Sequence, residues 1–384
     1  MTYLDHNATT PVRPEVVDAM LPFLKEDFGN PNSTYFLGQR ARKAVEEARA
    51  KVAALLGAAD PGEIVFTSCG SESDVAAISG AAWAAHAESG ARRNQVVSTR
   101  IEHDAVLGLL GVLRLRGFKC DMAGVDKDGL VAVKEVAALL SDKTAVVSVM
   151  HANNEVGTLQ PIAEIAGLCR ERGILFHTDA VQSAGKLEID VRKLGVDLLA
   201  ISGHKLNAPK GVGALYVRKG TRLAPTITGH QEKNRRGGTE NVASIVGFGV
   251  ACGLAQRDLS LETHYRAWRD KLEAGVLRIP GSRRNGHPSQ RLPNCSHFSF
   301  EGIDGHHLVV ALDMEGICVS SGPACSSGSS TPSHVLRAMG VQPQLATGSM
   351  RVSLGWSTTE ADVDRLLSVL PGVIDKLRKV AVPI

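Results

Sequence analysis

Through the first two-thirds of the chain, short apolar runs alternate with longer segments of helical periodicity. The runs Glu63–Thr67, Gln95–Thr99, Ala145–Val149, Ile174–His177, Leu198–Ile201 and Ala214–Val217 are candidate strands. Several are rich in Val, Ile and Leu without polar alternation, the pattern of strands covered on both faces. Between them lie the helix-length segments Gln39–Leu56, Ser73–His86, Ala105–Arg116 and Ile162–Arg172. This rhythm predicts an α/β domain built on a mostly parallel sheet. Near residue 257 the pattern changes. A polar helix is predicted at Leu261–Val276, followed by the connection IPGSRRNGHPSQRLPN. Short strands (His297–Phe300, Ile317–Ser320, Met350–Leu354) then mix with helices (Gly305–Met314, Pro332–Met339, Thr359–Leu377), the pattern of a smaller α+β unit.

Composition narrows the class. The 384 residues are 43% hydrophobic and 22% charged, with a net charge of +3. A balance so near neutral offers no electrostatic case for a nucleic acid or a membrane surface. The densest basic cluster, Lys233-Asn234-Arg235-Arg236, reads on charge alone as a solvated loop. The N-terminus lacks the basic and apolar regions of a secretory signal. No stretch approaches the roughly 18 apolar residues of a membrane span. The seven cysteines are scattered, with no C-x-x-C pair. That argues against a disulfide framework and for a reducing cytoplasm, with most thiols acting as small core residues.

In open α/β sheets, ligands bind beyond the carboxyl ends of the strands. There the chain places Ser68-Cys69-Gly70-Ser71, Glu102-His103, His151-Ala152-Asn153-Asn154, Thr178-Asp179-Ala180-Val181-Gln182 and Ser202-Gly203-His204-Lys205. Neither a phosphate-loop nor a dinucleotide fingerprint is present, and Gly247-x-Gly249 reads as a place where a helix packs closely. Lys205, in a small-residue turn at a strand end, is placed for a Schiff base. A lone lysine of this kind is usually a surface residue. Asp179 changes that reading, because a pyridoxal lysine needs an acidic partner for the pyridine nitrogen. Gly70 and Ser71 open a helix whose amides can receive a phosphate. His103 precedes a helix and can stack on a ring and move protons. Cys325 lies in the small-residue stretch Ser320–Ser330, unlike the core thiols Cys169 and Cys252. Arg351 can clamp a carboxylate with two parallel hydrogen bonds.

These motifs run end to end: YLDHNATTPV, FGNPNSTYFLGQ, FTSCGSESD, HANNEVGTLQPI, FHTDAVQSAGK, SGHKLNAPKGVGALYVR, GGTEN and SSGPACSSGS. Together they make the chain resemble the cysteine desulfurases, most closely the nitrogen-fixation type, within the class-V aminotransferases. The resemblance implies pyridoxal-phosphate fold type I: a large domain over residues 14–257 with a mostly parallel seven-stranded sheet, and a small α+β domain from residues 1–13 and 258–384 carrying the Cys325 loop. It implies a homodimer with pyridoxal 5'-phosphate as cofactor. Lys205 would bind the cofactor covalently, Asp179 would meet the pyridine nitrogen, and Gln182 or Asn154 the ring hydroxyl. His103 would stack and act as acid/base. Gly70, Ser71, Ser202 and His204 would hold the phosphate, and Thr239 would reach the phosphate of the other subunit. Arg351 and Asn154 would bind the substrate carboxylate.

The implied reaction removes sulfur from L-cysteine. Lys205 takes the Cα proton, Cys325 thiolate attacks the sulfur, and alanine leaves a persulfide on Cys325 for an iron–sulfur scaffold protein. Any metal contact would be made by Cys325 through that persulfide. Three positions depart from the expected pattern: Pro323 for Ser, Val75 for Asn, and His6 for Asn or Tyr. Two other activities remain open: a selenocysteine or cysteine-sulfinate lyase, which needs no enzyme thiol, and a non-catalytic sulfur-transfer scaffold.

Overall fold

The computed structural model describes residues 1–322 and 332–380. Cys325 and Pro323 lie outside them. Strand β1 (Thr2–Tyr3) opens the chain, and the large sheet follows: β2 (Ile64–Thr67), β3 (Gln95–Thr99), β4 (Lys119–Ala123), β5 (Thr144–Ser148), β6 (Leu175–Asp179), β7 (Leu198–Ser202) and β8 (Gly213–Val217). Its order is β2-β8-β7-β6-β5-β3-β4. Strand β8 runs antiparallel to both neighbours, and the other pairings are parallel. Strands β2 and β7 therefore point the same way, and their carboxyl ends share one rim. The expected six strands are present within a residue or two. The seventh, β4, has the mixed sequence KCDMA and is half-exposed at the sheet edge, so it carries little apolar signal.

Successive residues of a strand face opposite sides of its sheet. Val97, Val147 and Phe176 enter one core with Val45, Val52, Ile245 and Phe248, while Val96, Val146 and Leu198 enter the other with Ile78, Ala81 and Leu110. Burial on both faces explains why these strands read as continuous apolar runs. The helices Phe36–Leu56 and Val242–Arg257 cross closely. A Cβ on Gly249 would fall 2.6 Å from Ala48 Cα, and one on Gly247 would fall 2.7 Å from Met20 Sδ. These glycines serve helix packing, as expected.

The continuous helical stretch Val242–Val276 contains one 18-residue window of mean hydropathy 1.2, the length and composition of a membrane span, contrary to the sequence-based expectation. Its residues Ile245, Phe248 and Ala251 are committed to the core instead. The basic run also differs from a solvated loop. Arg235 donates to the carbonyl of Gly62 at 2.9 Å, and Arg236 pairs with Glu72 at 2.8 Å. Glu232, Lys233 and Asn234 all adopt positive φ there. The buried Glu232 carboxylate receives two bonds from Arg49, at 2.7 and 2.9 Å, and holds the turn.

The second sheet pairs β9 (Ser282–Asn285), β10 (Cys295–Phe300) and β12 (Ser349–Ser353) antiparallel, in the order β12-β10-β9. Strand β11 (Ile317–Cys318) pairs in parallel with β1. Phe298, Phe300, Leu308, Leu312, Met350 and Leu366 form a separate core that also takes in Leu4. The N-terminal strap is thereby pinned to the small sheet, and the residues after it run on to the rim of the large one.

Candidate active site

A cavity of about 190 Å³ opens at that rim. It is lined by Asn7, Ala8, Cys69, Gly70, Ser71, Asp74, His103, Met150, Asn154, Asp179, Val181, Gln182, Ser202, His204, Lys205 and Arg351. Ten of the sequence candidates thus converge from five strand ends and the small sheet. Thr239 does not line it and is exposed. Val75 packs against the apolar core beside the helix Gly70–Glu88 and is not a lining residue. The expectations for Cys325 fall outside the described residues. Among the described residues, no cluster of His, Cys, Asp or Glu is arranged to hold a metal ion.

At one end of the cavity begins the helix Gly70–Glu88, capped by Cys69, whose sulfur accepts from the Glu72 amide at 3.4 Å. Gly70 approaches its neighbours so closely that a Cβ would lie 2.8 Å from Val181 Cγ2 and 3.2 Å from Ser202 Cβ. Ser202 Oγ is buried and has no partner among the described residues. His204 gives its Nδ1 to Thr9 Oγ1 at 3.2 Å. Burial and nearby lysines push its pKa down to about 4, so the ring is neutral at physiological pH. Bare helix amides, an unsatisfied hydroxyl and a neutral imidazole make a pocket for an anionic group.

Asp179, the last residue of β6, is buried and accepts the Val181 amide at 2.8 Å. Burial raises its pKa, while His103 and Lys205 oppose the rise. A protonated ring nitrogen would give this buried carboxylate a cation in direct contact. Lys205 reaches across to the N-terminal strap, where its Nζ donates to the carbonyls of Asn7 (2.5 Å) and Ala8 (2.7 Å). His103 accepts the Ala105 amide on Nδ1 at 3.1 Å, which leaves Nε2 as the nitrogen free to carry a proton toward the cavity.

Arg351 marks the opposite end. It is buried, with Nη1 donating to the Asn154 carbonyl at 3.0 Å and Nη2 to Asp5 at 2.7 Å. It sits on β12, so the small sheet supplies the cation of a cavity otherwise built by the large one.

The residues that motif reading passed over are Asn7, Ala8 and Asp74. Ala8 acts through its backbone carbonyl, which carries no side-chain signature, and Asn7 acts through both its carbonyl and its amide side chain. Asp74 lies one turn into a helix that reads as apolar. Its Oδ1 is 3.5 Å from His177 Nε2, and burial raises its pKa well above the usual carboxylate range, with Asp179 and Glu102 adding to the rise.

The aminotransferase class-V profile matches residues 2–366. Cysteine desulfurase NifS of Azotobacter vinelandii is 48% identical over 99% of this chain and 94% of its own length. The chain belongs to the class-V aminotransferase family. Within it the chain falls among the cysteine desulfurases, pyridoxal-phosphate-dependent enzymes. Cysteine desulfurase IscS of Methanosarcina thermophila is 47% identical over 99% of the chain and 93% of its own length. Among solved structures, a NifS-like protein superposes with a TM-score of 0.90 at 38% identity, covering 98% of this chain and 100% of its own. SspA in complex with cysteine gives 0.80 at 35% identity, covering 92% and 99%. A class-V cofactor has an anionic phosphate, a basic ring nitrogen and an aldehyde. The anion pocket, Asp179 and Lys205 fit these three features in turn.

Proposed function

We propose that this chain removes sulfur from L-cysteine, releasing L-alanine and leaving a persulfide on Cys325 for transfer to an iron–sulfur scaffold protein. The observation that carries this reading is the meeting of Lys205, Asp179 and Arg351 in one cavity. That arrangement places an amine nucleophile, a carboxylate for a ring cation and a cation for a substrate carboxylate around a space the size of an amino acid. A structural relative that holds cysteine supports the choice of substrate.

The residues divide the work. Arg351, with Asn154, binds the substrate carboxylate and so fixes which way the Cα–H bond points. The Lys205 amine takes the Cα proton, and His103, which lines the same cavity, would move protons between its Nε2 and the bound substrate. Asp179 would meet the ring nitrogen of the cofactor and favour its protonated form. When bound, pyridoxal phosphate supplies the electron sink that makes the Cα proton removable. Cys325, as thiolate, attacks the substrate sulfur: an S–S bond forms, the Cβ–S bond breaks, and its electron pair goes to carbon, which is then protonated.

The homodimer is part of the proposal. Phe28, Tyr35 and Phe36 are 71%, 58% and 71% exposed, an aromatic surface that suits a partner subunit. Thr239 is exposed and absent from its own cavity, which suits a contact with the partner's phosphate. The six described cysteines are all unpaired, which supports a reducing, cytoplasmic location.

The test is a visible spectrum combined with an alanine assay. Lys205→Ala is expected to lose the visible band and turnover together. Cys325→Ala is expected to keep the band and lose turnover on cysteine. Full turnover in Cys325→Ala would remove that thiol from the reaction.

A further inference from the structure

Lys186 has no part in the chemistry described so far, yet its ammonium lies at the centre of the polar network beneath the cavity. Gly185 brings it there. That residue adopts φ 71°, and a Cβ on it would fall 2.3 Å from Leu206 Cδ2, so only glycine permits the turn. Lys186 Nζ donates to Gln182 Oε1 at 3.0 Å and to Asn7 Oδ1 at 3.1 Å. Gln182 Nε2 donates to the Asn7 carbonyl at 3.0 Å. A protonated Lys186 can only donate, and the Asn7 peptide carbonyl can only accept. The Gln182 amide is held between the two, so its orientation follows from chemistry alone. The oxygen must face Lys186, and the second hydrogen on Nε2 is left for the cavity that Gln182 lines. Asn7 is fixed by the same logic, with Oδ1 toward Lys186 and Nδ2 toward the Asn154 carbonyl at 3.3 Å.

We propose that Lys186 is a positioning residue that locks Gln182, so that an N–H and not an oxygen meets the ring oxygen of the bound cofactor. This rests on the cofactor placement proposed above. An N–H at that point favours the ionised ring oxygen, and an amide oxygen would repel it. Burial also pushes the Lys186 pKa down to about 7, with Lys205 and Arg351 acting in the same direction and Cys295 against it. Lys186 and Lys205 also share a second cavity of about 50 Å³ with His6, Tyr265 and Trp356.

The experiment is a double-mutant cycle on the holoenzyme without substrate. It reads the pH midpoint of the visible band and the affinity of the apoenzyme for pyridoxal phosphate. Lys186→Met is expected to raise the midpoint by about one unit and weaken cofactor binding by about 10-fold, the scale of one charge-assisted hydrogen bond. In a Gln182→Ala background the same change is expected to move neither quantity further. Lys186→Gln, which keeps an N–H donor, is expected to fall between wild type and Lys186→Met, and it replaces Lys186→Met if that variant does not fold. An equal midpoint shift with and without Gln182 would mean that Lys186 acts only as a distant charge, and would overturn the proposal. A lower melting temperature with an unmoved midpoint would overturn it too. Wild-type protein that binds pyridoxal phosphate without a visible band would sink the cofactor placement and this proposal with it.

Discussion

Asp179→Asn separates the cofactor's needs from those of the fold, because the two respond with opposite sign. Asparagine is nearly isosteric, and its Oδ1 can keep the 2.8 Å bond from the Val181 amide. What changes is the other half of the side chain, which becomes an NH2 aimed where a carboxylate would meet the ring nitrogen. Two N–H groups cannot pair, so the ring is held unprotonated. The loss is one hydrogen bond between charged groups in a buried site, about 1.5–3 kcal/mol, or roughly 10- to 150-fold in cofactor affinity. Turnover should fall further, by about 10²–10³-fold, since the ring cation stabilises charge that develops only during reaction. The apoprotein should respond the other way. The Asp179 pKa is raised in the folded state, chiefly by burial, so the folded chain retains a proton that the unfolded chain has lost. That costs stability progressively as pH climbs from near 4 through the folded value. Asparagine has no such cost, so apo Asp179→Asn should melt at a higher temperature than apo wild type at neutral pH. Absorbance titration of apoenzyme with pyridoxal phosphate, alanine formation under saturating cofactor, and calorimetry of the two apoproteins give the three readings. Unchanged affinity and turnover would show that Asp179 does not meet the ring nitrogen. A destabilised apo variant would show that the buried carboxylate is satisfied in a way the geometry does not reveal.

Glu102→Gln is a cleaner stability test, because Glu102 lies behind the cavity. Burial and Asp179 push its carboxyl up to about 8 against the bonds from Thr99 and Met150. The folded state keeps the Glu102 proton up to about pH 8 while the unfolded chain loses its own near 4.5, so the cost to the fold grows as pH climbs between the two, and the variant should gain on the order of a few kcal/mol relative to wild type by pH 8–9 in urea melts. Equal pH profiles for the two proteins would contradict this. Gly249→Ala puts a methyl 2.6 Å from the Ala48 backbone and should cost about 1–3 kcal/mol, whereas Gly253→Ala in the same helix meets nothing within 4 Å and should be neutral or stabilising by up to about 1 kcal/mol. Thermal melts of the two alanine variants give the comparison directly.

The parts of the fold that were legible in the sequence share one physical property. Strands β3, β5, β6 and β7 are buried on both faces and so are written in Val, Ile, Leu and Phe. The edge strand β4 is half-exposed, and its polar sequence hid it. The strand-end motifs were legible for a related reason, since a parallel sheet sends every loop at one rim toward the same ligand. Arg351 was placed by its chemistry, but its bond to Asp5 depends on the N-terminal strap folding back over β12, and no local pattern announces that. The basic run misled because charge suggests solvent, while the left-handed turn at Glu232, Lys233 and Asn234 needs a buried ion pair to hold it.

The polarity of the site was the least legible feature, and the reason is general. Whether an amide offers a hydrogen or an oxygen depends on what stands on either side of it, not on its own identity. Gln182 could be named from the sequence but not oriented. Its neighbours Lys186 and the Asn7 carbonyl come from two different parts of the chain, and only their meeting decides the matter. Asn7 then carries the same constraint to the far end of the cavity, because its Nδ2 and the Arg351 guanidinium donate to one acceptor, the Asn154 carbonyl. The cofactor end is thus built by the large sheet and the substrate end by the small one. The strap residue Asn7 is bonded to both, through Gln182 and Lys205 on one side and through the Asn154 carbonyl on the other. A change at Asn7 should therefore register at both ends at once, whereas a change to the Asp5 carboxylate, which pairs with Arg351, should register in KM for cysteine while leaving the cofactor spectrum in place.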